Sequence, residues 1–316
     1  MTVDSASPCA ADPDATADEA VPDGVQTSGV LLAVDLAELR IQAASENSRD
    51  LIGRSAGDLI GQSVDAIFEV SETRWLEAMR DDDRPAPSMR SRRIQLRPNG
   101  KDGRQLDYLA HRSGDFVMLE LFDPKETAFQ SAEARSRFRD ILLAETDMAE
   151  TIPDLCERAV QRLRGSMSLN GVGIYAFDDG GNGQIVSVST DGTYAFPEEG
   201  IRAARFPART RRPLERTRIR LISHFKEKGT QIITSPESEG KIDLSRSLLR
   251  AFPSEDEAYL EDFTPAKGFL VMPIVASRQL WGIILCLNTE EFSPPLVDLR
   301  LRLLSPGSQD WTPKGA

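Results

Sequence analysis

Residues 106–122 read Leu-Asp-Tyr-Leu-Ala-His-Arg-Ser-Gly-Asp-Phe-Val-Met-Leu-Glu-Leu-Phe, two largely apolar runs separated by a polar turn. Short apolar runs bounded by serine, glycine and aspartate are typical of paired β-strands. We therefore predict strands at 106–112 and 116–122, joined at Ser113-Gly114-Asp115. A third strand is predicted at 92–97, because polar and apolar residues alternate there and an Asn-Gly turn follows.

The sequence before this hairpin predicts the rest of the same domain. An apolar run at 30–34 and a second run at 40–44 are typical of two further paired strands. Apolar residues at the spacing of short helices follow between 51 and 79. Two strands, short helices and three strands are the element order of a PAS domain. We place this domain, with a five-stranded antiparallel sheet, at residues 24–124.

Residues 125–164 are predicted to connect this domain to the next. Residues 126–150 contain neither glycine nor proline, and their apolar residues recur at helical spacing, so they predict one long amphipathic helix. Pro153 interrupts the pattern, and a second helix is predicted at 152–163. Two interpretations of the long helix stay open: a seam between two copies of the chain, or a rigid spacer between domains.

A second αβ pattern occupies residues 165–292. A hairpin is predicted near its end, and the remaining strands and helical pieces precede it. The predicted strands are 172–177, 184–189, 221–223, 268–276 and 280–288, and the predicted helical pieces are 244–252 and 255–262. This is the element order of a GAF domain, an antiparallel sheet with helices. The predicted fold class is therefore α+β, with PAS and GAF domains joined by a long helix.

The two ends of the chain differ from these domains in composition. Residues 1–23 are rich in alanine, aspartate, serine and proline and contain almost no large apolar side chain, so we expect a disordered tail. Residues 293–316 are expected to form a short C-terminal tail with no room for a third domain.

Charge and cysteine content exclude several classes of function. The formal net charge of −12 argues against nucleic-acid binding, which requires a basic surface. No apolar run approaches the roughly 20 residues that cross a bilayer, so we expect no membrane association and a cytoplasmic protein. Three cysteines are too few and too scattered for a disulfide framework or a zinc site, and we expect no bound metal.

Several segments, in order and at the same spacing, resemble the bacteriophytochrome family. They span residues 24–292 and include the beginning and end of the PAS domain and most GAF strands. The segments are Gln26-Thr27-Ser28-Gly29-Val30-Leu31-Leu32, Ala44-Ser45-Glu46-Asn47, Ala110-His111-Arg112-Ser113-Gly114-Asp115, Leu119-Glu120-Leu121, Val172-Gly173-Ile174-Tyr175-Ala176-Phe177-Asp178, Arg218-Ile219-Arg220-Leu221-Ile222, Asp243-Leu244-Ser245-Arg246-Ser247-Leu248-Leu249-Arg250 and Leu280-Trp281-Gly282-Ile283-Ile284. Phytochromes hold a linear tetrapyrrole, or bilin, in the GAF domain.

The resemblance implies which residues would hold such a pigment. Bacterial members attach it to a cysteine in the N-terminal tail, for which Cys9 is the candidate here. Arg220 and Arg250 take the positions that pair with the bilin propionates, a contact suited to a guanidinium group. Ser245 and Tyr175 complete the candidate chromophore-binding set. For Cys9 an incidental tail cysteine, and for the two arginines a structural role, are the alternatives.

Compared with the same family, this sequence lacks other residues of the bilin site. The position of the GAF cysteine of plant and cyanobacterial members carries Glu255, and no Asp-Ile-Pro segment occurs. The two pocket histidines are replaced by Asp256 and Leu287. A leucine cannot donate a hydrogen bond to the terminal bilin carbonyl. The two histidines of the chain, His111 and His224, are expected to be structural, and the PHY domain that follows GAF in the family is expected to be absent.

Enzyme motifs are also missing. The sequence contains no Gly-x-x-x-x-Gly-Lys-Ser/Thr phosphate loop, no His-Glu-x-x-His and no Gly-x-Ser-x-Gly. We therefore predict no catalytic residues and no enzymatic activity.

Three functions remain. The preferred hypothesis is a phytochrome-like sensory module that binds bilin weakly or not at all, has no required cofactor, and acts as a homodimer or through a signalling partner. The alternative is a red/far-red photoreceptor fragment that holds biliverdin through Cys9. A ligand-free regulatory interaction protein, or a remnant of a sensor kinase, is the third. The family also passes its N-terminal segment through a loop of the GAF domain, and residues 224–242 are the candidate for that loop.

Overall fold

A computed structural model describes residues 24–69, 73–77, 90–97, 104–124, 150–196, 200–201, 211, 214, 219–224, 226–251, 266–276 and 279–290. Four predictions lie wholly or almost wholly outside these residues: the tail 1–23, the helix at 126–150 except its last residue, the helical piece at 255–262 and the tail 293–316.

The first domain contains the five predicted strands. Its elements are β1 (Gly24–Val25), β2 (Val30–Asp35), β3 (Ile41–Ser45), α1 (Ser48–Ile52), α2 (Ala56–Leu59), a 3₁₀ turn (Val64–Ala66), β4 (Arg90–Gln95), β5 (Gln105–Ser113) and β6 (Phe116–Phe122). The β5–β6 hairpin pairs Ser113 with Phe116, as its turn sequence predicts. Gly114 lies in this turn at φ 59°, a conformation that glycine adopts without a steric penalty. The PAS prediction is confirmed by this order.

The PAS sheet is larger than the five strands predicted. It has seven strands in the order β1-β10-β3-β2-β6-β5-β4, and β10 (Thr230–Thr234) comes from the second domain. Ile233 of β10 pairs with Ala44 of β3, and Gly24 of β1 pairs with Gln231 on the other edge. The five predicted strands lie side by side in this sheet, and β10 and β1 extend it beyond β3, whose edge would otherwise be unpaired.

The second domain is built on a five-stranded antiparallel sheet. Its elements are α3 (Ile152–Met167), β7 (Gly171–Phe177), β8 (Gly183–Thr190), β9 (Arg220–Ile222), β10, a 3₁₀ turn (Pro236–Ser238), β11 (Gly268–Ala276) and β12 (Gln279–Asn288), and the sheet order is β8-β7-β12-β11-β9. The predicted strands of the GAF part are confirmed, and the helix predicted at 152–163 continues to Met167.

Local sequence explains where α3 begins and ends. The Thr151 hydroxyl accepts a hydrogen bond from the Asp154 N–H at 3.3 Å, and Pro153 occupies the first turn, where its missing N–H costs nothing. The helix ends at Ser168, which has a left-handed conformation. Its buried face carries Cys156, Ala159, Val160 and Leu163, which pack with residues of β7 in one apolar cluster.

The prediction of a helix at 244–252 is wrong, because residues 244–251 form successive turns. The Asp243 carboxylate accepts hydrogen bonds from the Ser245 N–H at 2.8 Å and its hydroxyl at 3.0 Å. Further along, the Leu249 N–H donates to the Glu120 side chain of the PAS sheet at 2.8 Å. A helix over 244–252 would pair the Leu249 N–H with the Ser245 carbonyl, so the bond from Leu249 to Glu120 replaces a helical one. The local bonds from Ser245 to Asp243 form a turn, which competes with helix formation.

The core continues from one domain into the other. One cluster joins PAS residues such as Leu31, Met118 and Phe122 with GAF residues such as Leu221 and Leu249. A second cluster fills the other side of the PAS sheet, including Leu32, Phe68 and Tyr108. Within the described residues, no helix has the length and apolar character needed to span a membrane.

Candidate functional site

The candidate site lies on one face of the five-stranded sheet. Side chains alternate along a strand, so Tyr175, Ile222, Phe269, Ile283 and Leu287 share one face, while their neighbours face α3. We call this surface the GAF face. Its buried cluster also contains Tyr194, Phe196, Ile201, Leu214, Ala266, Val271 and Leu285.

Tyr175 is the most buried polar candidate on the GAF face. Its side chain is fully buried, and burial raises the pKa of its phenol well above the ordinary value. Its hydroxyl has no hydrogen-bond partner among the described residues. A buried tyrosine hydroxyl usually finds a partner, so this group could bond to a ligand atom.

Arg220 lies on the same face, because it precedes Ile222 by two residues on β9. The Arg220 side chain is buried, and its Nη2 donates to the Ala251 carbonyl at 2.8 Å. The Ala251 N–H in turn donates to the Gly24 carbonyl at 3.0 Å. Part of the Arg220 guanidinium is therefore held by the backbone of its own chain.

The structure does not bring the other candidate residues into one group with Tyr175. Arg250 is half-buried and forms a β-bridge with Val25. Ser245 is half-buried and its hydroxyl donates to Asp243. Leu244 and Leu248, which flank Ser245 in the chain, pack in the cluster on the opposite side of the sheet. Cys9, Glu255 and Asp256 lie outside the described residues.

Leu287 is the residue to which the family resemblance assigns the position of a pocket histidine. It is 1 % exposed and lies on β12 within the GAF-face cluster. The ring of Phe196 covers the nearby strand β7. A Cβ on Gly173 would lie 2.9 Å from this ring, and a Cβ on Gly171 would lie 3.0 Å from it. Tyr194 packs edge-on against Phe196, with ring centroids 5.3 Å apart. Apolar groups thus cover this part of the face.

Residues 24–28, which we call the N-terminal clasp, connect the two domains. The clasp pairs with β10 on one edge, and on the other edge the Gln26 N–H donates to the Leu249 carbonyl at 2.6 Å. β10 lies within residues 224–242, the segment predicted to form the loop around the N-terminal segment. The GAF part therefore contacts both edges of the clasp.

Two buried polar residues were missed as interface residues by sequence reasoning. Gln26 is 6 % exposed and hydrogen-bonds to β9 and to residues 248–250. Glu120 is fully buried on β6 beside His111. The alternation of β6 places Glu120 on the same side as Met118 and Phe122, and a carboxylate at an inward strand position is a signal that could have identified it.

His111 is fully buried on β5, where a structural role was predicted. His224 is partly buried after β9. Among the described residues, no group of three potential metal ligands occurs.

Comparison with known proteins agrees with this architecture. The PAS_2 family model, described as a PAS fold, matches residues 17–124. Cyanobacterial phytochrome B of Nostoc is 24% identical over 275 residues, which cover 84% of this chain and 35% of the relative. The bacteriophytochrome of Xanthomonas campestris pv. campestris is 26% identical over 292 residues, which cover 89% of this chain and 43% of the relative.

A solved structure extends the likeness to both domains. The chromophore-binding domain of Stigmatella aurantiaca phytochrome P1 superposes with a TM-score of 0.75 at 25% identity, covering 88% of this chain and 91% of that one. The chain spans less than half the length of the two curated relatives above. It contains a PAS domain, and it is a homologue of the bacterial and cyanobacterial phytochromes with the fold of their chromophore-binding domains.

Proposed function

We propose that this chain is a sensory module of phytochrome descent in which bilin binding is lost or weakened, and that it signals through a protein partner. Leu287 carries this proposal. It occupies the position that the resemblance assigns to the histidine at the terminal bilin carbonyl, and it is buried among apolar groups. A bilin carbonyl placed against Leu287 would lose its hydrogen bonds to water and gain none.

The propionate partners support the same proposal. Arg220 already donates to the Ala251 carbonyl. Recruiting Arg220 to a propionate would require its guanidinium to bond to both groups or to release Ala251. The residues present therefore fit a bilin poorly at its terminal carbonyl, and they fit it only in part at its propionates.

One observation favours a functional photoreceptor fragment as the second candidate. The buried Tyr175 hydroxyl has no partner within the described part of the chain, and Arg220 shares its face. Such a site suits a ligand with an acidic group and a hydrogen-bonding atom, which biliverdin has. In that case Cys9, Arg220 and Arg250 would hold the pigment.

Biliverdin binding tests the proposal directly. The protein is mixed with biliverdin, freed of excess pigment, and examined by absorption spectroscopy and by zinc fluorescence after denaturing electrophoresis. We expect a spectrum like that of free biliverdin and no fluorescent protein band. A red-shifted band with an adduct that disappears in Cys9→Ser would contradict the proposal and establish the photoreceptor fragment.

A gain-of-binding variant tests the role of Leu287. Restoring one hydrogen bond to a buried carbonyl is worth about 1–3 kcal/mol, so Leu287→His is expected to tighten biliverdin binding by about 5- to 150-fold. Leu285→His is the matched control, because Leu285 lies two residues earlier on the same buried face. Equal retention of pigment by both variants would show that the position of Leu287 has no special role.

The partner part of the proposal follows from the sequence. No catalytic motif occurs there, so we infer that output requires a second protein or a second copy of the chain. The long predicted helix at 126–150 is the candidate contact. A ligand-free regulatory protein would behave in the same way but would bind no small molecule in the GAF domain.

A further inference from the structure

A pair of ionisable side chains is buried where the PAS sheet meets the GAF part. Glu120 of β6 and His111 of β5 are both 0% exposed, and His111 Nδ1 lies 3.5 Å from Glu120 Oε1. Both project from the PAS face that packs against residues 247–249. Carboxylates are almost never fully buried unless they are paired, so the state of this pair affects the contact between the domains.

The GAF segment supplies hydrogen-bond donors to Glu120. The Leu249 N–H donates to Oε2 at 2.8 Å. The Leu248 backbone and the Ser247 side chain also act on the carboxyl group and lower its pKa. Glu120 therefore connects the PAS sheet to the GAF part through the Leu249 backbone. The other Glu120 oxygen faces His111.

The surrounding charges are few. The charge of Arg220 on β9 lowers the pKa of Glu120. The charge of Arg246 lowers the pKa of His111, and that of Asp243 raises it. The strand neighbours of Glu120 are Leu31 on β2 and Leu109 on β5, which carry no charge. A separation of 3.5 Å is longer than the 2.7–2.9 Å or so of a charge-assisted hydrogen bond, so the geometry does not favour a tight ion pair.

Burial acts on the two groups in opposite directions. Desolvation raises the pKa of Glu120 to about 7 despite the donors around it. Desolvation, with a smaller effect of Arg246, lowers the pKa of His111 to about 4. Both groups are therefore neutral in the folded protein between these values.

We propose that Glu120 and His111 together keep one proton, as a neutral carboxyl and a neutral imidazole, and that this pair holds the PAS sheet to residues 247–249 with a strength that does not change between pH 5 and 6.5. In an unfolded chain at the same mildly acidic pH, the glutamate is ionised and the histidine is protonated, so the two side chains also hold one proton. Folding moves that proton from the imidazole to the carboxyl group. The number of bound protons does not change.

The sign of each contribution follows from the direction of its pKa shift. Glu120 has a raised pKa, so its contribution to stability falls as the pH rises from about 4.5 to about 7. His111 has a lowered pKa, so its contribution falls as the pH decreases from about 6.5 to about 4. In the shared window the two slopes cancel. When one partner is removed, the stability of the protein changes with pH in the direction set by the remaining group.

Unfolding of four forms of the protein tests this between pH 5 and 6.5: wild type, Glu120→Gln, His111→Gln and the double variant. Relative to wild type, the folding equilibrium constant of Glu120→Gln is expected to increase up to about tenfold for each pH unit gained. That of His111→Gln is expected to decrease by a similar factor, and the double variant is expected to run parallel to wild type. Single-variant curves that run parallel to wild type would overturn the proposal.

Nuclear magnetic resonance of the wild-type protein avoids the risk that a variant fails to fold. The chain has only two histidines, so ¹⁵N-histidine labelling gives two sets of ring-nitrogen signals, and His224→Gln assigns them. The ring nitrogens of His111 are expected to show a neutral imidazole at every pH from 5 to 8. A His111 ring that becomes protonated between pH 6 and 7, as a free imidazole does, would contradict the neutral pair.

Discussion

Replacing Gln26 with alanine is expected to lower the free energy of unfolding by at least about 3 kcal/mol, since each buried backbone group left without a partner costs about 1–3 kcal/mol. The two N–H bonds of Gln26 Nε2 are shared among three carbonyl groups, those of Leu221 at 2.8 Å, Leu248 at 3.1 Å and Arg250 at 3.2 Å. Its Oε1 accepts from the Ser223 N–H at 2.7 Å. One amide therefore joins the clasp to β9 and to the segment that contacts Glu120.

Urea unfolding followed by tryptophan fluorescence measures this loss. Gln184→Ala is the matched control, because Gln184 is exposed on β8 and its loss should change stability by no more than about 0.5 kcal/mol. Gln26→Glu separates hydrogen bonding from packing, since it keeps the shape and replaces the donor by an oxygen that faces the same carbonyls. If Gln26→Ala and Gln184→Ala were equally stable, the clasp would not hold the domains together through this side chain.

The second large effect is expected at Gly282, where β12 pairs with β7. A Cβ on this residue would lie 2.1 Å from the Tyr175 carbonyl oxygen and 3.1 Å from its carbon. These are backbone atoms of a central strand, so they cannot move without breaking the pairing of Gly282 with Ala176. We expect Gly282→Ala to lower the free energy of unfolding by about 3 kcal/mol, the upper end of the usual cost of overpacking.

Gly165→Ala makes the same chemical change and is expected to increase stability. Gly165 lies within α3 and is exposed, and apart from the backbone of its own helix no atom lies within 4 Å of the point that a Cβ would occupy. Alanine in a helix interior is favoured over glycine by about 0.5–1 kcal/mol, so this variant should unfold at a higher urea concentration than wild type. A Gly282→Ala protein as stable as wild type would mean that β7 and β12 are not paired as described.

Much of the fold could be predicted from the sequence because the signals are local. The β5–β6 hairpin needs only two apolar runs and a turn that contains Gly114, and the predicted strand 116–122 coincides with β6. The beginning of α3 follows from Thr151 and Pro153 in the same way. Prediction failed where a distant partner competes with local preference. The sequence predicts a helix at 244–252, but the Leu249 N–H donates to Glu120, and residues 244–251 form turns.

In the candidate site, too, the strand positions could be predicted from the sequence, but the long-range contacts could not. Sequence similarity placed Tyr175, Arg220 and Leu287 on strands, and strand alternation then puts all three on the GAF face. What Arg220 bonds to could not be predicted, because Ala251 lies 31 residues further along the chain and only the fold brings the two together.

The α+β class, the order of the strands, the hairpin turns and the phytochrome likeness could all be obtained from the amino-acid sequence, because each depends on residues close together in the chain or on ordered motifs. Three contacts became visible only in the folded chain: β10 joins the PAS sheet, Gln26 bonds to Ser223 197 residues away, and Glu120 meets Leu249 129 residues away. The sequence gives no periodic signal for which distant groups these residues contact. They exist because buried polar groups must find partners wherever the folded chain places them.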